Sequence, residues 1–135
     1  MIALADPVPA STATRTILIV DDDLAVADTF ARMLRLEGFN VATAVSAETG
    51  LELADSVLPN AIILDLRMPI VNGLQFLRHI RSKTHLQDVP VAVVTGDYFL
   101  AENTAAELKT LGASVRFKPL WLEDLVALAR TLLST

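Results

Sequence analysis

Five short apolar runs alternate with five longer runs of helical period between Thr16 and Leu133, and this alternation limits the fold more than any other feature of the chain. Thr16 to Asp21 is continuously apolar until it ends in charge, the pattern of a strand covered on both faces. Leu24 to Glu37 places Val26, Phe30, Met33 and Leu34 on one helical stripe, and Gly38 supplies a stop. The unit then recurs. Val41 to Ala44 reads as a strand, Ser46 as the cap of a helix carrying Leu51, Leu53, Ala54 and Leu58, and Pro59 closes the segment. Ala61 to Asp65 is a third strand, followed by a helix that Asn72 caps and that carries Leu74, Phe76, Leu77 and Ile80. Val89 to Thr95 is a fourth strand with Pro90 at its start, where a missing N–H is tolerated. A helix from about Phe99 to Leu111 ends at Gly112, Ser114 to Phe117 forms a fifth strand, and Trp121 to Leu133 a fifth helix.

Five such units with short connections imply a parallel α/β sheet between two helix layers, because right-handed crossovers put helices on both faces. A chain of 135 residues fits one such domain. Its residues are 53% hydrophobic but only 5% aromatic, so Leu, Val, Ile and Ala must build the core. Without cysteine, disulfides and thiolate zinc sites are excluded. A net charge of −5 and no Lys/Arg cluster argue against nucleic-acid binding by this segment. No apolar run approaches the roughly 20 residues that span a bilayer, and Asp6, Pro7 and Pro9 interrupt any signal-like stretch at the start. No membrane role is expected, and the cytoplasm is the default compartment. Residues 1–14 read as a flexible tail and 15–135 as the domain.

In such sheets ligands bind at the carboxyl ends of the strands. Here those ends carry Asp21, Asp22 and Asp23, then Asp65, Thr95 and Lys118. Close carboxylates raise one another's pKa unless a cation lies among them. Hard oxygen ligands without His or Cys favour Mg²⁺, or Mn²⁺, which takes one or two carboxylates, waters and a phosphate oxygen. A hydroxyl and an ammonium supply donors for phosphoryl oxygens, and one aspartate is left as a nucleophile.

The runs "ILIVDDD", "IILDLRMPIVNG", "VVTG" and "KP", in this order and spacing, resemble the receiver domain of two-component response regulators over Thr16 to Ser134. The resemblance implies a flavodoxin-like (βα)5 doubly wound sheet of strand order 2-1-3-4-5. It implies Asp65 as phosphoacceptor, with Thr95 and Lys118 contacting the phosphoryl group. Asp22 would bind Mg²⁺ directly and Asp21 through water, with Asp65 and the backbone carbonyl of Arg67 completing the metal site. Met68, Pro69 and Gly73 would shape the loop after the acceptor, and Pro119 would follow Lys118 through a cis peptide. A histidine kinase or histidine phosphotransfer protein would donate the phosphoryl group. The output, by a partner the sequence does not name, would run through the face of the fourth helix, fifth strand and fifth helix, which also implies a homodimer route. Such a domain is a switch with self-catalysed chemistry rather than an enzyme.

Some positions stand apart from the pattern. Asp23 matches no ligand and reads as the start of the first helix, where negative charge suits the dipole. Val115 stands three before Lys118, where receivers carry an aromatic switch residue, and alternation puts the nearby Phe117 beside the core. Trp121 reads as covering the core edge, with a binding surface as the sharper alternative. Arg67 and Asp97 flank the pocket and are expected to meet across its mouth and restrict attacking water, against a reading as two solvated charges. His79 and His85 read as surface or helix-end residues, and Asp88 and Glu102 to Glu107 as exposed charge.

Two alternatives stand beside this reading. "VDDDLA" approaches the signature of haloacid dehalogenase-type phosphohydrolases, with Asp21 nucleophilic and Asp23 the acid/base, but Ala25 departs from it, no cap domain fits, and Asp65 is left unexplained. A non-phosphorylated pseudo-receiver is the second, and here the acceptor, both acids, the hydroxyl and the lysine are all retained.

Overall fold

The computed structural model describes residues 15–66, 72–96 and 100–134, so the expected tail over residues 1–14 lies outside the described residues. Each unit starts from local chemistry. Strand β1 (Thr16–Val20) leads to helix α1 (Leu24–Leu36), whose first turn is capped by the Asp23 carboxylate accepting from the Ala25 and Val26 N–H groups at 3.0 and 3.2 Å. Gly38, at φ 95°, turns the chain into β2 (Asn40–Ala44). Ser46 Oγ accepts from Thr49 N–H at 3.1 Å and opens α2 (Ala47–Val57). Strand β3 (Ala61–Leu64) precedes α3 (Gly73–Ser82), where Asn72 and Gln75 bond each other's backbone N–H groups in a reciprocal cap. Strand β4 (Val91–Thr95), α4 (Glu102–Thr110), β5 (Ala113–Phe117) and α5 (Leu122–Leu133) complete the chain.

All five strands are parallel in the order β2-β1-β3-β4-β5, as the expected fold requires. Side chains alternate to opposite faces. Leu18, Val20, Ile62, Leu64, Val91 and Val93 pack with Ala54, Phe76, Leu77, Ile80 and Leu108 of α2, α3 and α4. Ile17, Ile19, Ala61, Ile63, Ala92 and Val94 pack with Phe30, Leu34, Leu125 and Leu128 of α1 and α5. Truncating a fully buried ring such as Phe76 to Ala costs about 3–5 kcal/mol in sites of this kind.

Four expectations need correction. The fourth strand starts at Val91 rather than Val89, because Val89 N–H closes a turn onto the Leu86 carbonyl at 3.2 Å. The fourth helix starts at Glu102; Phe99 lies outside the described residues. Phe117 is not buried in the core but 42% exposed, at the end of β5, the edge strand of the sheet, whose last two residues are both exposed. Trp121 does not cover the core: it is 69% exposed, with its backbone N–H directed at the Asp124 carboxylate at 3.4 Å.

Candidate phosphoryl and metal site

Register brings the strand ends together. Val20 pairs with Leu64, so Asp21 and Asp65 follow side by side. The Asp65 N–H donates to the Val20 carbonyl at 2.8 Å and the Asp21 N–H to the Ala44 carbonyl at 3.0 Å, which fixes both backbones on the ladder. Thr95 pairs with Phe117, and the Lys118 N–H donates to the Thr95 carbonyl at 2.8 Å. Four residues far apart in sequence thus stand along one rim.

The side chains converge as well. Asp21, Asp22 and Asp65 each offer a carboxylate oxygen, and these oxygens lie within 4.8 Å of one another. Asp21, Asp65 and Thr95 are buried, at 4%, 7% and 0% exposure, while Asp22 faces solvent. Lys118 Nζ reaches Asp21 Oδ2 at 3.1 Å and Asp65 Oδ1 at 3.8 Å. The Asp23 N–H donates to Asp21 Oδ1 at 2.9 Å, so Asp21 is held from both sides. Asp23 serves as the α1 cap through Oδ1, a structural role that accounts for it without the acid/base role of the phosphohydrolase alternative.

Three carboxylates within this span and a single ammonium leave excess negative charge in a half-buried rim, and an all-oxygen set of that kind fits a hard divalent cation. Thr95 lies on the same rim from a neighbouring strand end, with its backbone carbonyl tied to Lys118. Arg67, Met68, Pro69 and Asp97 lie outside the described residues, so the expected carbonyl ligand, the loop residues and the Arg67–Asp97 gate are not among the groups brought together here.

Glycine makes the rim possible from behind. A Cβ at Gly73 would stand 2.5 Å from the Asp65 carbonyl oxygen and 2.7 Å from Leu66 Cα, both backbone atoms that cannot yield. Only glycine lets α3 start this close to the end of β3, where its N–H donates to the Leu66 carbonyl at 2.9 Å. The Lys118–Pro119 peptide is cis, as the resemblance implied.

Two polar clusters away from the rim have no local signature in the sequence. Arg78 of α3 forms a two-bond pair with Glu107 of α4, its Nη2 donating to Oε1 at 2.6 Å and its Nε to Oε2. This pairing holds the Glu107 carboxyl below its usual range. Asp55 on α2 accepts from Lys83 Nζ at 2.7 Å and meets His85 Nε2 at 2.9 Å, and these partners lower its pKa, Lys83 foremost. Both pairs join residues about thirty positions apart, beyond any helical spacing rule.

Comparison with known proteins agrees with this fold. Residues 17–130 match the family model of the response regulator receiver domain. PrrA of Mycobacterium tuberculosis, a transcriptional regulatory protein, is 37% identical over 117 residues, covering 87% of this chain and 49% of its own. The response regulator MprA of Mycolicibacterium vanbaalenii matches at the same identity and coverage. The chain spans about half the length of these relatives. A CheY-like receiver domain protein from Methanospirillum hungatei superposes with a TM-score of 0.81 at 26% identity, covering 89% of this chain and 94% of that one. A receiver domain protein from Clostridium thermocellum does so with a TM-score of 0.80 at 26% identity and the same coverage. The chain belongs to the response regulator receiver domain family, the phosphoacceptor module of two-component signalling. Among the described residues, no helix is long and apolar enough to cross a membrane.

Proposed function

We propose that Asp65 is the phosphoacceptor and that the rim around it is built for reversible aspartyl phosphorylation. The supporting observation is the placement of Asp65: a buried carboxylate with an ammonium 3.8 Å away and two further carboxylates within the span of one cation. An Asp65 oxygen attacks the phosphorus of a phosphohistidine on a kinase or phosphotransfer protein. The P–O bond forms as the P–N bond breaks, and the departing imidazole takes up a proton. Asp21, Asp22 and the Arg67 backbone carbonyl would hold Mg²⁺ beside it, or Mn²⁺. When bound, that cation neutralises the carboxylates and polarises a phosphoryl oxygen.

The chain's own groups do the rest. Lys118 transfers its ion pair from Asp21 toward the new phosphoryl oxygens, and the Thr95 hydroxyl donates to another. Added negative charge on Asp65 thereby biases the positions of β4, β5 and the helices attached to them. The chain is a switch and not a turnover enzyme, because its acceptor is its own side chain. Retention of every polar group on the rim favours this reading over a pseudo-receiver. The names of the relatives support transcriptional output in a longer protein, and the exposure of Trp121 and Phe117 supports a partner surface at the start of α5.

The test is incubation with phosphoramidate and Mg²⁺, followed by intact mass and site mapping. One phosphoryl group on Asp65, lost in Asp65→Ala, is the expected result. An acyl phosphate on Asp21, or no uptake, overturns it.

A further inference from the structure

Helix α4 is the least anchored of the five. Leu108 is the sole residue it buries among the described residues, and its N-cap is Ala101, which makes no side-chain bond, so the first turn relies on Asn103 Oδ1 accepting from the Thr104 N–H at 2.9 Å. A helix with one buried side chain is held weakly by the core. Beyond Leu108 and its packing against the sheet, side chains of α3 reach it through arginine chemistry. Arg78 grips the Glu107 carboxylate with two nitrogens, and one turn further along Arg81 Nε donates to the Leu111 carbonyl at 2.7 Å, just past the end of α4. Arg81 is anchored in turn, since its Nη1 donates to the Val89 carbonyl at 2.6 Å and the Gln87 carbonyl at 3.1 Å. It is a fixed post, whereas the exposed Arg78–Glu107 pair is a releasable contact.

We propose that the Arg78–Glu107 pair is a clamp that restrains α4 and thereby sets how readily this chain accepts a phosphoryl group. This rests on Asp65 being the acceptor. With Asp65 a plain carboxylate, Lys118 keeps its shorter contact with Asp21 at 3.1 Å and the clamp is closed. Thr95 ends β4, and Leu108 of α4 packs in one core cluster with Val91 and Val93 of that strand, so a position of α4 that the clamp stabilises also bears on the strand that presents Thr95. A phosphoryl group can favour another arrangement only against that restraint, and the clamp therefore opposes phosphorylation. Arg78 and Glu107 are positioning residues, since neither lies among the groups of the rim. The pair is specific to long-range geometry: the residues are 29 positions apart and face each other across two helices.

An exposed pair of this kind has modest strength, which suits a contact that must open. The test is a charge-swap cycle. Arg78→Ala and Glu107→Ala are each expected to raise the initial rate of phosphoramidate labelling at Asp65 about twofold to fivefold and to speed amide exchange at Leu108. Arg78→Glu combined with Glu107→Arg is expected to return both readouts to wild type, which a merely structural loss would not do. Raising potassium chloride to 1 M is expected to bring the wild type toward the single variants. Labelling at Asp65 with unchanged rates in both single variants overturns the clamp and leaves the acceptor assignment standing. Single variants that accelerate while the swapped double variant stays fast also overturn it. No labelling of the wild type overturns the acceptor assignment, and the clamp's role with it.

Discussion

Lys118 Nζ lies 3.1 Å from Asp21 Oδ2, closer than its 3.8 Å distance to Asp65, so the lysine of the rim sits nearer to a proposed metal ligand than to the proposed acceptor. Lysine and cation therefore compete for Asp21. Lys118→Ala is expected to tighten Mg²⁺ binding several-fold, read by titration of the Trp121 or Tyr98 fluorescence or by amide shifts. The same change is expected to slow labelling of Asp65 by about 10²-fold, because a positioned donor for the developing charge is gone. Unchanged labelling would remove Lys118 from the chemistry.

Gly73 reports on a steric relationship. A methyl at this position meets the backbone of Asp65 and Leu66 rather than a flexible side chain. Gly73→Ala is expected to lose about 1–3 kcal/mol in urea unfolding, as overpacked sites do, and to perturb the amide resonances of Asp65 and Leu66.

Asp23 separates two chemistries. As the N-cap of α1, its replacement by Ala is expected to lower stability by about 1 kcal/mol while phosphoramidate labelling continues. Abolished labelling in a folded variant would return Asp23 to the acid/base role it has been denied.

Asp55 carries a pH dependence of known sign. Lys83, and then His85, hold its carboxyl below the usual 3.8, so the folded protein binds its proton less readily than the unfolded chain does. The resulting stabilisation is complete above about that value and is lost as pH falls through the depressed folded-state pKa. Asp55→Asn is expected to flatten the acid limb of a melting-temperature profile and leave its shape above pH 6 unchanged. A steeper acid limb in the variant would contradict the pairing.

Trp121 is exposed, and so Trp121→Ala is expected to change stability by less than about 0.5 kcal/mol while weakening partner binding. A large drop in melting temperature with intact affinity would reverse both statements.

The rim was legible in the sequence because a parallel strand covered on both faces announces its end by its first charged or polar residue. Asp21, Asp65, Thr95 and Lys118 were found that way, and strand register alone then made them neighbours. Caps were equally readable, since Asp23, Ser46 and Asn72 act on N–H groups two or three residues on. Phe117 is exposed against expectation because alternation tells which way a side chain points but not whether anything lies there, and among the described residues no strand lies beyond β5; Trp121 precedes a helix, where apolar character alone does not tell core edge from surface. Glu107 read as plain exposed charge because its partner comes from another helix. Val89 was placed in the strand because apolar character continues through a turn that only the Leu86 carbonyl reveals.

The bond from the Lys118 amide to the Thr95 carbonyl has a mechanical consequence. It couples the hydroxyl-bearing strand end and the ammonium-bearing one as two leaves on a single pin. A substitution that shifts either residue drags its neighbour, so drift at one position of this pair is expected to demand an answering change at the other.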